Sequence, residues 1–418
     1  MPKAAPLLFV LAVAACAPPE DVPETAPPVA VEGGVAEGEH PVPAEGDALT
    51  PRLSLGAGGA PLLSWTETDG DRAALRYARW TGDGWGPAAT ADAGSDRFVN
   101  WADTPGVVDL GGGRLLAHTL VMHPDGDSPY AYDVRVVQGR GGTWGTGLTP
   151  HTDGVPAEHG FVSAVPLGGG RAGLVWLDGR NQGGGHGHHA GSMTVRYAAI
   201  GPDGALSDEA ELDARACDCC PTAAVATPSG LVVAYRNRSA EEVRDVAVVR
   251  RVGGAWTEPT VPHPDGWTIN GCPVNGPALA ASGDRVALAW YTEADGEPRV
   301  QVAVSDDGGA TFGPAVRVDG GAPIGRVDVA YLDDGSVVVS WLEGGAETAE
   351  VRVRRLAGGT LGPPRPVATV TAGRESGVPV VAPLGDRVVV AWTDPGASPA
   401  VRTAVVGVPA VGEAVAAR

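Results

Sequence analysis

Seven short apolar runs punctuate the chain, each closing on an aromatic or histidine side chain before polar residues resume. They are PLLSWTE at Trp65, RLLAHT at His118, AGLVWLD at Trp176, LVVAYRN at Tyr235, VALAWYTE at Trp290, VVVSWLE at Trp341 and VVVAWTD at Trp392. Each follows another apolar segment and a glycine turn, as in VVDLGGGRLLAHT and ALAASGDRVALAW. Each precedes an alternating segment such as MTVRYAAI or VQVAVS. Period-two alternation over short stretches predicts strands, and helical periodicity is nearly absent. Antiparallel strands repeating every ~50 residues predict an all-β chain folded as a β-propeller of seven blades, with six as the alternative.

The ends do not fit this repeat. Residues 1–15 carry Lys3, an apolar run and small residues, the layout of an export signal too short to span a membrane. Val13-Ala14-Ala15-Cys16 resembles the bacterial lipobox, which implies cleavage before Cys16 and lipidation of its sulfur. Ala17 in the next position leans toward an outer-membrane destination if the host is Gram-negative. Residues 16–50 are rich in Pro, Ala and Glu and lack Lys and Arg, so they are expected to form a disordered tether. The propeller then occupies 51–418. This places the chain in the cell envelope, attached to the membrane only through its lipid, and predicts a monomer.

A formal charge of −20 argues against nucleic acid as a partner. In a propeller, the connection entering each blade and the loop between its second and third strands open on one face. Those loops hold DRFVNWAD, TPHTDGVPAEHG, RACDCCP, WTINGCPVNG, GAPIGRVD and GRESG, and also WLDGRNQGGGHGHHAGS and YRNRSAEEVRD. Nearly all the histidines, cysteines and loop arginines therefore surround one mouth, whereas the opposite turns are short and Gly/Asp-rich. Polar groups gathered on the loops of a rigid scaffold predict a binding site. His151, His159, His186, His188 and His189 are candidate ligands for a divalent metal. The recurring tryptophans are expected to pack between blades.

One stretch carries a family resemblance. Ser305, Asp307, Gly309, Thr311 and Phe312 in SDDGGATF fit the Asp-box pattern S-x-D-x-G-x-T-[WF]. Together with EHGFVS, WLDGR, CDCCP and GWTINGCPVNGP, they make the chain resemble the sialidase/BNR-repeat propellers, in particular bacterial sialidase-like lipoproteins. The resemblance implies an exo-α-sialidase-like glycoside hydrolase that acts on a glycan, with sialic acid as the sugar, and needs no cofactor. Its chemistry requires arginines on the sugar carboxylate, for which Arg180, Arg236, Arg244, Arg326 and Arg374 are candidates. It requires an acid, Asp103 or Asp178, and a Tyr–Glu nucleophile pair. Glu158 or Glu375 with Tyr235, Tyr291 or Tyr132 are the candidates for that pair. No [FY]RIP-type arginine motif opens the domain. A non-catalytic propeller binding glycan or protein, and a metal-binding propeller using the His-rich loops, remain alternatives.

With Cys16 lipidated, Cys217, Cys219, Cys220 and Cys272 remain. They enter adjacent blades at equivalent places. Two disulfides are the leading expectation in an oxidising compartment. A four-thiolate metal site is the runner-up and a reactive thiol pair the third reading.

Overall fold

A computed structural model describes residues 38–56, 58–182, 191–410 and 412. The export signal, Cys16 and His186, His188 and His189 lie outside the described residues.

The chain forms seven antiparallel sheets in sequence order. The first strand of each is Asp47–Leu55, Gly106–Gly111, His159–Gly168, Ala223–Thr227, Ala278–Ser282, Pro323–Tyr331 and Val380–Leu384. Each of these strands lies beside the first strand of the next sheet, and the last returns to the first, so they line a closed central channel. The molecule is a seven-bladed β-propeller, as the repeat predicts, and blades 1 to 7 are numbered in that order. The only helical turns among the described residues are the short segments Ala294–Gly296 and Arg374–Ser376.

The seven apolar runs are the second strands. Blade faces pack against neighbouring blades, which is why these strands read as continuous apolar runs rather than as alternations. Each blade-to-blade seam holds its own buried cluster. Val233 and Tyr235 of blade 4 meet Val175 and Tyr197 of blade 3, and Leu63 and Trp65 of blade 1 meet Ala391 and Val401 of blade 7. The tryptophans at 65, 176, 290, 341 and 392 are all buried in such seams. An indole N–H needs an acceptor when buried. In three blades it is the acidic residue two positions on: Trp65 to Glu67 at 2.8 Å, Trp176 to Asp178 at 2.8 Å, and Trp341 to Glu343 at 2.6 Å.

The ring is closed by the N-terminal segment. His40 N–H donates to the Thr403 carbonyl at 2.9 Å, and Val405 N–H to the Gly38 carbonyl at 3.0 Å, adding an outer edge to the three-stranded seventh blade. Residues 38–50, expected as part of the tether, therefore lie within the propeller. Gly38–His40 covers the unpaired outer edge of blade 7, and the strand beginning at Asp47 is the inner strand of blade 1. On the opposite face, the SDDGGATF stretch forms a turn between the third and fourth strands of blade 5. Ser305 Oγ accepts the N–H groups of Asp307 and Gly309, and Asp307 accepts the N–H and the hydroxyl of Thr311. These bonds hold the exposed Asp307 carboxyl down at about 2.

At the mouth, three first strands are irregular. Thr50, Phe161 and Arg326 have positive φ (52°, 54° and 57°), and each sits at a break in strand register. Bulges of this kind re-aim side chains, and strained residues of this kind collect at functional sites.

Candidate active site at the mouth of the propeller

Asp103 precedes the first strand of blade 2, Tyr132 opens the third strand of that blade, and Glu158 precedes the first strand of blade 3. Tyr132 N–H bonds the Ala157 carbonyl at 3.0 Å, which pins the third strand of blade 2 to the approach to blade 3. The Tyr132 phenol oxygen then lies 2.9 Å from Asp103 Oδ2 and 2.9 Å from Glu158 Oε1. Phe161 N–H donates to Asp103 Oδ1 at 2.7 Å, and Phe98 stacks on the phenol ring at 4.3 Å. Gly160 is required here, since a Cβ at that position would stand 1.9 Å from Asp103 Oδ2.

A phenol has one proton to donate. If one carboxylate accepts it, the other contact is a hydrogen bond only when that second carboxyl carries a proton itself. Burial agrees with this reading. It pushes Asp103 up to about 7 against the opposing effects of Tyr132, Phe161 N–H and Arg52, and it drives Glu158 well above the usual carboxylate range. Tyr132 is raised well above an ordinary phenol, first by burial and then by the two carboxylates. Asp103 thus titrates near neutral pH, within hydrogen-bond reach of a phenol and close to a second raised carboxyl, the condition for general acid and base work.

Asp178, the other candidate acid, has a different environment. Burial works to raise it, but Arg180, His159 and the Trp176 N–H overcome that and hold it at about 2. Arg180 grips it through two nitrogens at 2.7 and 2.6 Å and also reaches Asp153 at 3.0 Å. Asp178 is therefore an ionised structural carboxylate and not a proton donor, and Arg180 is engaged by it.

Beside this pair, His151 and His159 stack face to face at 3.9 Å. His159 is fully buried, with Nδ1 at 3.4 Å from Asp133 and Nε2 at 3.4 Å from Asp153 and 3.6 Å from Asp178. Neither ring nitrogen makes a hydrogen bond of ordinary geometry. Burial lowers His151 to about 4, with His159 adding to the effect, while the surrounding carboxylates outweigh burial and raise His159.

Several other expected site residues are placed elsewhere. Tyr235 is fully buried in the seam between blades 3 and 4, hydrogen-bonded to Asp213, and does not pair with Glu158 or Glu375. Glu375 is exposed, accepts Thr371 Oγ1 at 2.6 Å, and is lowered chiefly by that bond. Arg236 is buried and donates to the carbonyls of Asn275, Arg244 and Tyr291 at 2.8, 2.6 and 2.7 Å, so it braces loops instead of facing a ligand. Arg244, also buried, pairs with Glu242 and Cys217. Arg326 donates to the Gly373 and Gly377 carbonyls and lies 4.6 Å over the Trp101 ring. Arg374 and Glu375 line a cavity of about 480 Å³ with Trp101, Thr50 and Thr393. The five arginines do not form one carboxylate-binding cluster, because most are held by the protein's own acceptors.

The two expected disulfides are not formed. All four cysteines are free thiols, and the sulfur separations of 4.0 Å (Cys217–Cys219) and 3.0 Å (Cys217–Cys220) are non-bonded contacts, well beyond the ~2.05 Å of a bond.

Arg52 carries no strong mark in the sequence, because it stands at the very start of the stretch assigned to the propeller. It donates to the Thr104 and Val162 carbonyls at 3.2 and 3.0 Å. With Asp328 it lines a channel cavity of about 240 Å³, whose wall includes the neighbours Ala102, Thr104 and Phe161 of the tyrosine site. Burial raises Asp328 to about 6. The one signal pointing to Arg52 is a basic residue within an otherwise apolar-alternating stretch.

No family model matches this chain, and no curated protein does. Among solved structures, the chain is similar to a protein of unknown function from Dyadobacter fermentans, at 15% identity and TM-score 0.50, over 90% of this chain and 99% of that one. It is also similar to the polysaccharide lyase Uly1, at 10% identity and TM-score 0.51, over 88% of this chain and 91% of that one. At such identities the likeness shows the fold.

Proposed function

We propose that this chain is a glycan-acting β-propeller hydrolase of the cell envelope, with Asp103, Tyr132 and Glu158 as its reacting groups. The observation that supports it is the Tyr132 phenol held at 2.9 Å from both carboxyls. Tyr132 attacks the anomeric carbon as its proton passes to Glu158, and Asp103 protonates the departing glycosidic oxygen. A water then gives its proton to Asp103 and its oxygen to the sugar, and the released phenolate recovers the proton from Glu158. The balance leaves the enzyme unchanged and the glycoside hydrolysed with retention. The fold likeness to a polysaccharide lyase agrees with a carbohydrate substrate. An exo-α-sialidase activity is the specific form of this proposal, with exposed Arg374 left to meet the sugar carboxylate. Export and lipidation at Cys16 belong to the same reading.

The test is a panel of fluorogenic glycosides, an α-sialoside among them, run on the full chain and on Tyr132→Phe. Turnover lost in the variant supports the proposal. No turnover on any glycoside, with retained binding on a glycan array, leaves the non-catalytic glycan-binding reading in its place.

A second reading rests on the ring nitrogens of His159, which lie buried among carboxylates without a hydrogen bond of ordinary geometry. Asp133, His151 and His159, with Asp153 and Asp178 alongside, offer nitrogen and oxygen donors suited to a divalent cation. Calorimetric titration with zinc or manganese, compared with His159→Ala, tests it.

A further inference from the structure

The cysteine turn of blade 4 plays no part in the proposed chemistry, yet it is the densest group of soft donors in the described residues. Cys217, Cys219 and Cys220 present sulfur atoms that all lie within 4.8 Å of one another. Cys219 also makes a hydrogen-bonding contact with Cys272, which arrives from the connection entering blade 5. Three sulfurs therefore share one centre, and Cys272 approaches it from the side of Cys219. At a tetrahedral zinc with Zn–S of about 2.3 Å, neighbouring sulfurs stand ~3.8 Å apart. The Cys217–Cys219 separation of 4.0 Å matches such an edge. The Cys217–Cys220 edge, at 3.0 Å, has to open by ~0.8 Å to match it.

Charge gives the second, independent argument. The buried Arg244 guanidinium donates to Cys217 Sγ at 3.2 Å. A guanidinium taken out of water needs negative partners; Glu242 supplies one at 2.8 Å, and Cys217 Sγ stands at the other nitrogen. A disulfide sulfur is neutral, whereas a thiolate cluster carries the charge that this arginine faces. Arg238 adds to the positive surroundings, held by Asp218 within the cysteine turn itself. Consistent with this, Cys217 is held well below an ordinary thiol: burial opposes its ionisation, but its contacts with Cys219 and Cys220 and the charge of Arg244 prevail.

We propose that Cys217, Cys219, Cys220 and Cys272 form a thiolate site for a single thiophilic d¹⁰ cation, Zn(II) or Cu(I), at the seam of blades 4 and 5. Three ligands come from one turn and the fourth from the neighbouring blade, so the ion ties two loops of the mouth together. Binding releases the remaining thiol protons and is therefore favoured by rising pH. The site borders the tyrosine site, since Glu158 feels the Asp218 and Cys272 charges. The proposal stands without the hydrolase reading.

The full chain, purified anaerobically, reduced and stripped with a chelator, is titrated separately with Zn(II), with Cu(I) against a chromogenic competitor, and with Co(II) as a spectroscopic probe. The expected result is one equivalent bound, a near-ultraviolet sulfur-to-cobalt charge-transfer band, and protection of all four thiols from alkylation. The tighter of the Zn(II) and Cu(I) arms identifies the ion. Cys272→Ser, at an exposed position that the fold tolerates, lowers affinity by about 10- to 100-fold. Full alkylation in the presence of metal with no charge-transfer band overturns the site, and unchanged affinity in Cys272→Ser overturns its role as fourth ligand. No glycoside is present in any arm, so the outcome is independent of turnover.

Discussion

Asp103 and Asp178 stand on neighbouring blades at the same mouth, both almost fully removed from water, and their carboxyls are driven in opposite directions. Asp103 has a phenol, one backbone N–H and a more distant arginine, so burial dominates and lifts it to about 7. Asp178 has a two-pronged guanidinium, the His159 imidazole and an indole N–H, so the partners dominate and hold it at about 2. Burial alone does not make a carboxyl an acid catalyst. What decides is whether its partners stabilise the anion.

The largest effect expected from this contrast is on activity. Asp103→Asn should lower kcat/KM toward any cleaved glycoside by about 10²- to 10⁴-fold, with a melting curve close to that of the parent. A large loss of stability with activity per folded molecule intact would reverse the assignment. Asp178→Ala should do the opposite, costing about 1–3 kcal/mol in chemical denaturation because the buried Trp176 N–H loses its acceptor, while Arg180 keeps Asp153. The Asp178 contribution carries a sign that can be checked. Its pKa is depressed, so the stabilisation is present above the unfolded value of about 3.9 and fades as pH falls toward about 2.

A pH profile sharpens the same comparison. Asp103 must hold its proton to act as an acid, so kcat/KM should fall as pH rises through about 7, roughly tenfold per unit well above it. A profile flat to about pH 9 would remove Asp103 from the acid role. The smallest effect separates two tyrosines. Tyr235→Phe removes one hydrogen bond to Asp213, should cost about 1.5–3 kcal/mol in stability, and should leave turnover unchanged, unlike Tyr132→Phe.

The same contrast shows which parts of the site are legible along the chain. The acid two residues after Trp65, Trp176 and Trp341 recurs with the blade, and that recurrence in the sequence marks Asp178 as part of the repeat. A role that repeats from blade to blade is architectural. Asp103 and Glu158 are recognisable as mouth residues by their place in the connections. Nothing local distinguishes AYDVRV at Tyr132 from VAYRN at Tyr235, because both read as aromatics in strands. The arginines mislead for a related reason: a loop position does not reveal whether carbonyls from the next blade wait for the guanidinium, as they do for Arg236.

The sequence by itself determined the all-β class, the repeat of ~50 residues that makes a propeller, the buried second strands and the face on which the polar loops gather. These follow from periodicity, which is a property of neighbours along the chain. The tertiary structure alone decided that Tyr132, and not Tyr235, meets two carboxyls, that Asp178 is held down at about 2 while Asp103 is lifted to about 7, and that three sulfurs of one turn share a centre. Those outcomes depend on distances of a few ångströms, mostly between segments far apart in sequence, and on how much water and which charges the fold leaves around each group.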